Sequence, residues 1–237
     1  MYQTTMKQFP LLVFDWDGTL VNSIERITTS LQFASKHAVD VSLSETQARD
    51  VIGLGLMEAI SKLHPEFHVE QHAKELNTIA DAYRQHYLYD NTVPAPLFDG
   101  VEQLLNELRN EGYTLAISTG KSRAGLEQSI NEHKLADYFS TTRCAGENKS
   151  KPDPEMLHEI LRELNFSADQ TVMIGDSEHD LKMACNANMQ SIGVTHGVHD
   201  ATTLNKHKPL TCLADITELS TYLSHNHVST DTSKLNQ

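Results

Sequence analysis

The sequence has few cysteines and no long apolar run. Only three of its 237 residues are cysteine, and Cys144, Cys185 and Cys212 are too far apart for a zinc or redox motif. This usage is typical of a reducing compartment in which thiols are structural. No apolar stretch approaches membrane-spanning length, and residues 1–5 have no signal-peptide character. We therefore expect a cytoplasmic protein without a membrane partner.

Positive charge is also scarce. The chain has 19 lysines and arginines against 32 aspartates and glutamates, a net charge of −13. This balance argues against a nucleic-acid partner, since such proteins usually carry a basic stripe. It does not exclude a small anionic substrate, because a bound metal and a few local cations can reverse the field within a cleft. The thirteen histidines show no consistent ligand spacing.

The strongest signal is an apolar run that ends in two carboxylates. Residues 11–14 are all apolar, and Asp15, Asp17 and Gly18 follow. Such a run is typical of a buried parallel strand, and ligands bind at the carboxyl ends of these strands. Burying two anions there costs several kcal/mol each, so a divalent cation is expected to compensate. Taken alone, the motif is also compatible with a surface turn.

Three later segments disfavour the surface turn. Residues 114–119 form a second apolar run, which ends in Ser118 and Thr119. The basic segment around Lys151 precedes a helical pattern, and a third apolar run, 171–174, leads into Asp176. Each segment alone is a common loop or helix start. Their occurrence at successive predicted strand ends indicates one site.

The remaining pattern predicts an α/β fold with a helical insert. Residues 20–92 show helical spacing and no convincing strand, and Ser44 with Gln47 indicates a helix start. Helix and strand then alternate, which predicts a doubly wound parallel sheet with a Rossmann-like core. We expect a core of residues 1–19 and 93–237 and a four-helix cap of residues 20–92. The predicted later helices lie near 101–111, 123–133, 155–164 and 181–187, and the strands near 115–118, 139–142, 172–174, 191–194 and 210–213.

These four motifs, in this order, resemble the haloacid dehalogenase-like hydrolase superfamily. More narrowly, they resemble its phosphoglycolate-phosphatase-type branch with a small helical cap. The resemblance implies a Mg²⁺-dependent phosphatase that acts on a small phosphorylated metabolite, as a monomer or homodimer. 2-Phosphoglycolate is the leading substrate, and sugar phosphates and nucleoside monophosphates remain open. A β-phosphoglucomutase and a non-catalytic phospholigand-binding module are the alternatives, whereas the second aspartate, Asp17, argues against a haloacid dehalogenase.

The resemblance also assigns the acidic residues. It implies that Asp15 is the nucleophile that forms an aspartyl-phosphate and also binds Mg²⁺. Asp17 would be the general acid and base, and its backbone carbonyl would be a metal ligand. Asp176 would supply the second metal carboxylate. Asp180 would bind the ion through water or brace Lys151.

The polar residues at the strand ends receive substrate-binding roles by the same resemblance. Thr119 would bind the phosphoryl group; Ser118, which should point the other way from a strand, is the competing candidate. Lys151 would neutralise Asp15 and the phosphoryl group, with Lys149 as its competitor. Gly18 would allow the tight turn at the site, and Thr19 would orient the Asp17 side chain.

The cap is expected to select the substrate. The break at residues 53–55, Gly-Leu-Gly, resembles the specificity loop of capped relatives. Arg49, Lys62 and His64 are polar candidates near it, although each is more simply explained as an ordinary helix residue.

Overall fold

A six-stranded parallel sheet forms the centre of the computed structural model, which describes residues 7–225. The strand order is β3-β2-β1-β4-β5-β6. All five pairings are parallel. The strands are β1 (Leu11–Phe14), β2 (Thr114–Thr119), β3 (Thr141–Cys144), β4 (Thr171–Gly175), β5 (Gln190–Val194) and β6 (Cys212–Leu213).

Strand β1 is central because it is apolar on both faces. Leu12 and Phe14 pack into one core cluster, and Leu11 and Val13 pack into another on the opposite face. All four side chains are fully buried. Helices on both faces of the sheet provide this burial, which is the arrangement that parallel sheets require.

Helices account for the connections and for the insert. Between β1 and β2 lie α1 (Ile24–Val39), α2 (Glu45–Arg49), α3 (Leu56–Leu63), α4 (Ala73–Gln85), a π-helical turn (His86–Asp90) and α5 (Val101–Asn110). The later helices are α6 (Arg123–Glu132), α7 (Glu155–Leu164), α8 (Glu178–Asn186), α9 (Ala201–Leu204) and α10 (Glu218–His225).

The predicted doubly wound parallel sheet and the helical insert are confirmed. Four α-helices occupy residues 24–85, and two small apolar clusters hold them together. Helix α2 begins with a capping box in which Ser44 and Gln47 bond each other's backbone N–H groups, as their spacing predicts. Strand β3 begins two residues later than expected, and neither α9 nor α10 was expected.

The insert leaves and re-enters the core at adjacent points. Val21 forms an antiparallel bridge with Leu97. The Asn22 N–H donates to the Pro96 carbonyl at 2.8 Å, and the Phe98 N–H donates to the Leu20 carbonyl at 3.0 Å. The exit point comes directly after the carboxylates that follow β1, so the insert starts at the carboxyl edge of the sheet.

Within residues 7–225, the structure contains no helix that is both long and apolar enough to span a membrane.

Candidate active site

The carboxyl ends of three neighbouring strands bring the polar residues together. Asp15 follows β1, Thr119 ends β2, and Asp176 follows β4. Because β1 lies between β2 and β4, these three positions meet at one edge. Ligands bind at this type of edge in open α/β sheets.

Three carboxylates and one ammonium group form the centre of the site. Oxygens of Asp15, Asp176 and Asp180 all lie within 4.8 Å of one another, and the three residues are buried. The Lys151 Nζ lies 2.7 Å from Asp15 Oδ1 and 2.6 Å from Asp180 Oδ1. One cation among three anions leaves an excess of buried negative charge.

This crowding raises the pKa of two carboxyl groups. Burial, followed by the charge of Asp180, raises the pKa of Asp15 well above its usual range. The same two causes raise the pKa of Asp176 to about 7. Burial lowers the pKa of Lys151, but the charges of Asp15 and Asp180 outweigh it and raise the value above that of a free lysine. A divalent cation would relieve the repulsion.

Asp176 is held by the turn after β1 and by a loop after β5. The Thr19 hydroxyl donates to Asp176 Oδ1 at 2.7 Å, and the Val198 N–H donates to Oδ2 at 2.7 Å. We expected Thr19 to orient Asp17, and this expectation was wrong because the hydroxyl reaches Asp176 instead. Gly18 has a φ of +87°, and a Cβ there would lie 2.2 Å from Asp176 Oδ2, so only glycine fits.

Asp17 does not belong to the carboxylate cluster and is held by different partners. The Ser23 hydroxyl donates to its Oδ1 at 2.6 Å, so it orients Asp17 and does not cap α1. The Lys121 ammonium donates to Oδ1 at 2.9 Å and Oδ2 at 3.0 Å, and to the Tyr87 hydroxyl at 2.9 Å. The sequence analysis did not single out Lys121. It follows the hydroxyl at the end of β2 by two residues, and this position could have identified it.

Asp180 binds the lysine directly. Its Oδ1 accepts from Lys151, and its Oδ2 accepts from the Ser177 hydroxyl at 2.6 Å. The geometry matches both roles that the resemblance left open for Asp180, because it contacts Lys151 and also belongs to the carboxylate cluster. Lys149, the competing lysine, is 70% exposed in its side chain and lies 3.6 Å from Asp153.

Thr119 and Ser118 face opposite sides of β2. Thr119, Asp15 and Asp17 line a cavity of about 300 Å³ between the sheet edge and the insert. The Ser118 hydroxyl instead lies 3.6 Å from the Met156 sulfur and 3.7 Å from that of Met183, and it does not line this cavity. The geometry favours Thr119 as the residue that contacts a ligand.

The glycine-flanked loop of the insert, residues 53–55, closes the cavity. A Cβ on Gly120 would lie 2.3 Å from the Leu54 carbonyl oxygen, so the loop after β2 approaches the insert as closely as glycine allows. The Gly55 N–H donates to the Ser150 hydroxyl at 2.7 Å, one residue before Lys151. The insert therefore contacts the segments that carry the site residues.

The three polar candidates of the insert do not line the cavity. Arg49 donates to the backbone carbonyls of Gly197 and Val198, next to the N–H that holds Asp176. His64 is fully buried against Ser35. Lys62 is exposed and lies 3.4 Å from a backbone carbonyl.

The residues of the cluster fit a hard divalent cation. The carboxylates offer only oxygen donors, which suit Mg²⁺ rather than zinc. Among the residues described, Asp15 Oδ2 is buried and has no hydrogen-bond partner, so it is available as a ligand. Unpartnered buried carboxylate oxygens are costly, and a cation would remove that cost.

Known hydrolases are similar to this chain over most of its length. The family model for haloacid dehalogenase-like hydrolases matches residues 12–194. The chain is 32% identical to a phosphoglycolate phosphatase of Vibrio cholerae over 203 residues, which cover 81% of this chain and 87% of that protein. It is 27% identical to the pyrophosphatase PpaX of Bacillus mycoides, over 90% of this chain and 96% of that one.

Among solved structures, a predicted phosphatase from Clostridium acetobutylicum superimposes with a TM-score of 0.81 at 26% identity. The match covers 92% of this chain and 99% of the other. The family match begins within β1 and ends with β5, so it includes the polar residues of all four motifs, and the relative from V. cholerae has a phosphatase activity in its name. The chain belongs to the haloacid dehalogenase-like hydrolase family, and it is a phosphoric monoester hydrolase.

Proposed function

We propose that the protein is a Mg²⁺-dependent phosphatase that hydrolyses a small phosphate monoester through an aspartyl-phosphate on Asp15. The observation that carries this proposal is the buried cluster of Asp15, Asp176, Asp180 and Lys151 beside a cavity. The leading substrate is 2-phosphoglycolate, because it is the substrate in the name of the relative from V. cholerae.

In the first step, a carboxylate oxygen of Asp15 attacks phosphorus and the ester bond to the alcohol breaks. Asp17 gives a proton to the leaving oxygen, so the alcohol departs neutral. Thr119 hydrogen-bonds the phosphoryl group, and Lys151 offsets its charge. Mg²⁺, held by Asp15, Asp176 and the Asp17 carbonyl, would neutralise the phosphoryl oxygens and position them for attack.

In the second step, water attacks the phosphorus of the aspartyl-phosphate. Asp17 takes the proton of that water, inorganic phosphate leaves, and the carboxylate of Asp15 is restored. Asp17 can serve both steps because it follows Asp15 by two residues and lines the same cavity. Its side chain is free of the carboxylate cluster, since its partners are Ser23 and Lys121.

The helical insert is proposed to act as a cap of residues 20–92 on a core of residues 1–19 and 93–237. The insert supplies the apolar wall of the cavity, including Leu31, Ile52 and Leu56. Exclusion of water by such a wall protects the covalent intermediate and strengthens the local electrostatics.

A phosphate-release screen tests the proposal. The panel is 2-phosphoglycolate, pyrophosphate, sugar phosphates and nucleoside monophosphates, each with Mg²⁺ and with EDTA. We expect Mg²⁺-dependent release with 2-phosphoglycolate among the best substrates, and Asp15→Asn should reduce release to background. Activity that survives Asp15→Asn, or isomerisation of a sugar phosphate without net release, would contradict the proposal.

A further inference from the structure

The ammonium group of Lys121 lies on the cavity wall beside Asp17. Only 8% of the Lys121 side chain is exposed. Its hydrogen bonds go to the two carboxylate oxygens of Asp17, at 2.9 and 3.0 Å, and to the Tyr87 hydroxyl, at 2.9 Å, and its Nζ also lies 4.6 Å from the centre of the Tyr87 ring. Tyr87 belongs to the insert and Asp17 to the core, so Lys121 joins the two at the entrance to the reaction centre.

A buried ammonium group needs an anionic partner. Lys121 has Asp17 as its counter-ion here, and removal of an anion from a buried pair is strongly unfavourable. In the proposed reaction, the Asp17 carboxyl must turn toward the leaving oxygen of the substrate. Lys121 then loses contacts to Asp17 and becomes available to another anion in the cavity.

Among the described residues, the other cations near the cavity pair with carboxylates other than Asp17, the proposed proton donor to the leaving oxygen. Lys151 is fixed between Asp15 and Asp180 and does not line the cavity. Arg84 lies at the rim with 49% of its side chain exposed and pairs with Asp81 at 2.7 Å. Lys121 is therefore the lining cation best placed for the leaving-group side of the substrate, within the described part of the chain.

We propose that Lys121 is a specificity residue that binds a carboxylate on the leaving group. The inference rests on the proposed phosphatase function and deepens it. When such a substrate enters, its carboxylate replaces Asp17 on Lys121, and Asp17 is freed to face the ester oxygen. Tyr87 holds the ammonium group in place during the exchange through its hydroxyl.

The geometry limits the spacing between the two charged groups of the substrate. Lys121 Nζ lies within hydrogen-bonding distance of Asp17, so an anion that takes its place lies beside the leaving oxygen. A spacer of one or two carbons between the ester oxygen and the carboxylate meets this condition. The cavity of about 300 Å³ also suits a small ester. The favoured class is the phosphate monoester of a short hydroxycarboxylic acid.

A pair of matched substrates tests the role of Lys121. 2-Phosphoglycolate carries the carboxylate, and 2-hydroxyethyl phosphate replaces it with a neutral group of similar size. The wild-type protein should favour 2-phosphoglycolate in kcat/KM. Lys121→Met should lower kcat/KM for 2-phosphoglycolate by roughly ten- to hundredfold, the loss of a charged hydrogen bond. The value for 2-hydroxyethyl phosphate should change less than about threefold.

Comparison of two substrates on one variant cancels any general damage to the fold. Lys121→Arg should recover part of the preference because it keeps the charge. Tyr87→Phe should lower the preference less than Lys121→Met, since it removes one contact of the ammonium group. Lys182→Met, which alters an exposed lysine of α8, serves as the matched control and should leave both substrates unchanged.

An equal loss on both substrates would overturn the inference, because Lys121 would then act on the phosphoryl group or on Asp17. If Lys121→Met lowers kcat/KM for neither substrate, the inference is also overturned, and Lys121 has only a structural role. If the wild-type protein releases no phosphate from any substrate, the proposed function fails while Lys121 is still testable. In that case calorimetry measures the binding of both esters to Asp15→Asn, with and without Lys121→Met. Equal affinities for the two esters would then reject the carboxylate site.

Discussion

The two buried lysines of the site, Lys151 and Lys121, are held by different parts of the molecule. Lys151 lies within the core, and both of its carboxylate partners come from core segments. Lys121 lies between the core and the insert, and its partners come from both. A charge fixed within one packed unit keeps its position, whereas a charge shared across a boundary can change partners. The comparison predicts that the core positions the reacting groups and that the substrate is recognised at the boundary between core and insert.

Lys151→Met should give the largest effect, because it removes the lysine that is held entirely within the core. It leaves Asp15 and Asp180 buried without a counter-ion, which costs on the order of 3–5 kcal/mol of unfolding free energy. Urea unfolding at pH 8 with EDTA measures the loss, and phosphate release should fall to background. The exposed Lys149→Met should change stability by less than about 0.5 kcal/mol. Equal stabilities of the two variants would show that the cluster does not need its lysine.

Addition of Mg²⁺ should stabilise the folded protein, and the size of this stabilisation should depend on pH. The pKa values of Asp15 and Asp176 are raised above the value of about 4 of an unfolded chain. The folded state therefore binds more protons, and this cluster loses stability as pH rises from about 4 to 7. A Mg²⁺ concentration of 100 times Kd should add about 2.7 kcal/mol to the free energy of unfolding at pH 8. This gain corresponds to an increase in Tm of roughly 5–10 °C.

The shift should be smaller at pH 5.5, where protons compete for the same carboxylates. Thermal unfolding with Mg²⁺ and with EDTA at both pH values measures the difference. Asp176→Asn, which removes a ligand, should abolish most of the shift. A Tm increase that is the same at both pH values, or that persists in Asp176→Asn, would place the ion elsewhere.

Arg49→Met should weaken the contact between insert and core. Arg49 bonds the carbonyls of residues 197 and 198, and the neighbouring Val198 N–H holds Asp176. We expect kcat/KM to fall about tenfold, the equivalent of one charged hydrogen bond of about 1.5 kcal/mol. Steady-state kinetics at 25 °C measures it, with the exposed Arg162→Met as the control. Unchanged kinetics would mean that closure does not depend on this arginine.

Ser44→Ala should have the smallest effect on activity, because the change in structure is confined to the insert. It removes the capping box of α2 and should cost about 1 kcal/mol of stability, or roughly 2–4 °C in Tm. Activity at 25 °C should remain within about twofold. Asp200→Ala, which removes the side-chain cap of α9 in the core and does not line the cavity, is the matched variant. A loss of activity in Ser44→Ala at full stability would link α2 directly to the chemistry.

The positions of Asp15, Asp176 and Thr119 could be predicted from the sequence because each follows a continuous apolar run. Such runs identify buried parallel strands, and parallel strands align their carboxyl ends. Ser44 and Gln47 were predictable for a local reason, since a capping box needs residues only three apart. Helix α9 was not, because its four residues are too few to show a periodic pattern. Helix α10 does carry helical spacing in Leu219, Tyr222 and Leu223, and the sequence analysis did not use that signal.

Long-range partners were the other part that the sequence could not supply. Lys121 and Asp17 are 104 positions apart, and Thr19 and Asp176 are 157 apart. Strand patterns place such residues at the same edge of the sheet, but they do not say which hydroxyl reaches which carboxylate. The expected partner of Thr19 was wrong for this reason, and the ion pair of Lys121 was found only in the structure.

The antiparallel bridge between Val21 and Leu97 has a consequence for how this enzyme could be rebuilt. This bridge holds the two ends of the insert side by side. The segment between them could therefore be exchanged for another whose ends lie equally close together. A hybrid that takes residues 23–95 from a relative would inherit that relative's selectivity and keep this chain's catalytic acids. The bridge thus gives a natural pair of cut points between the proposed cap and the core that carries Asp15, Asp17 and Asp176.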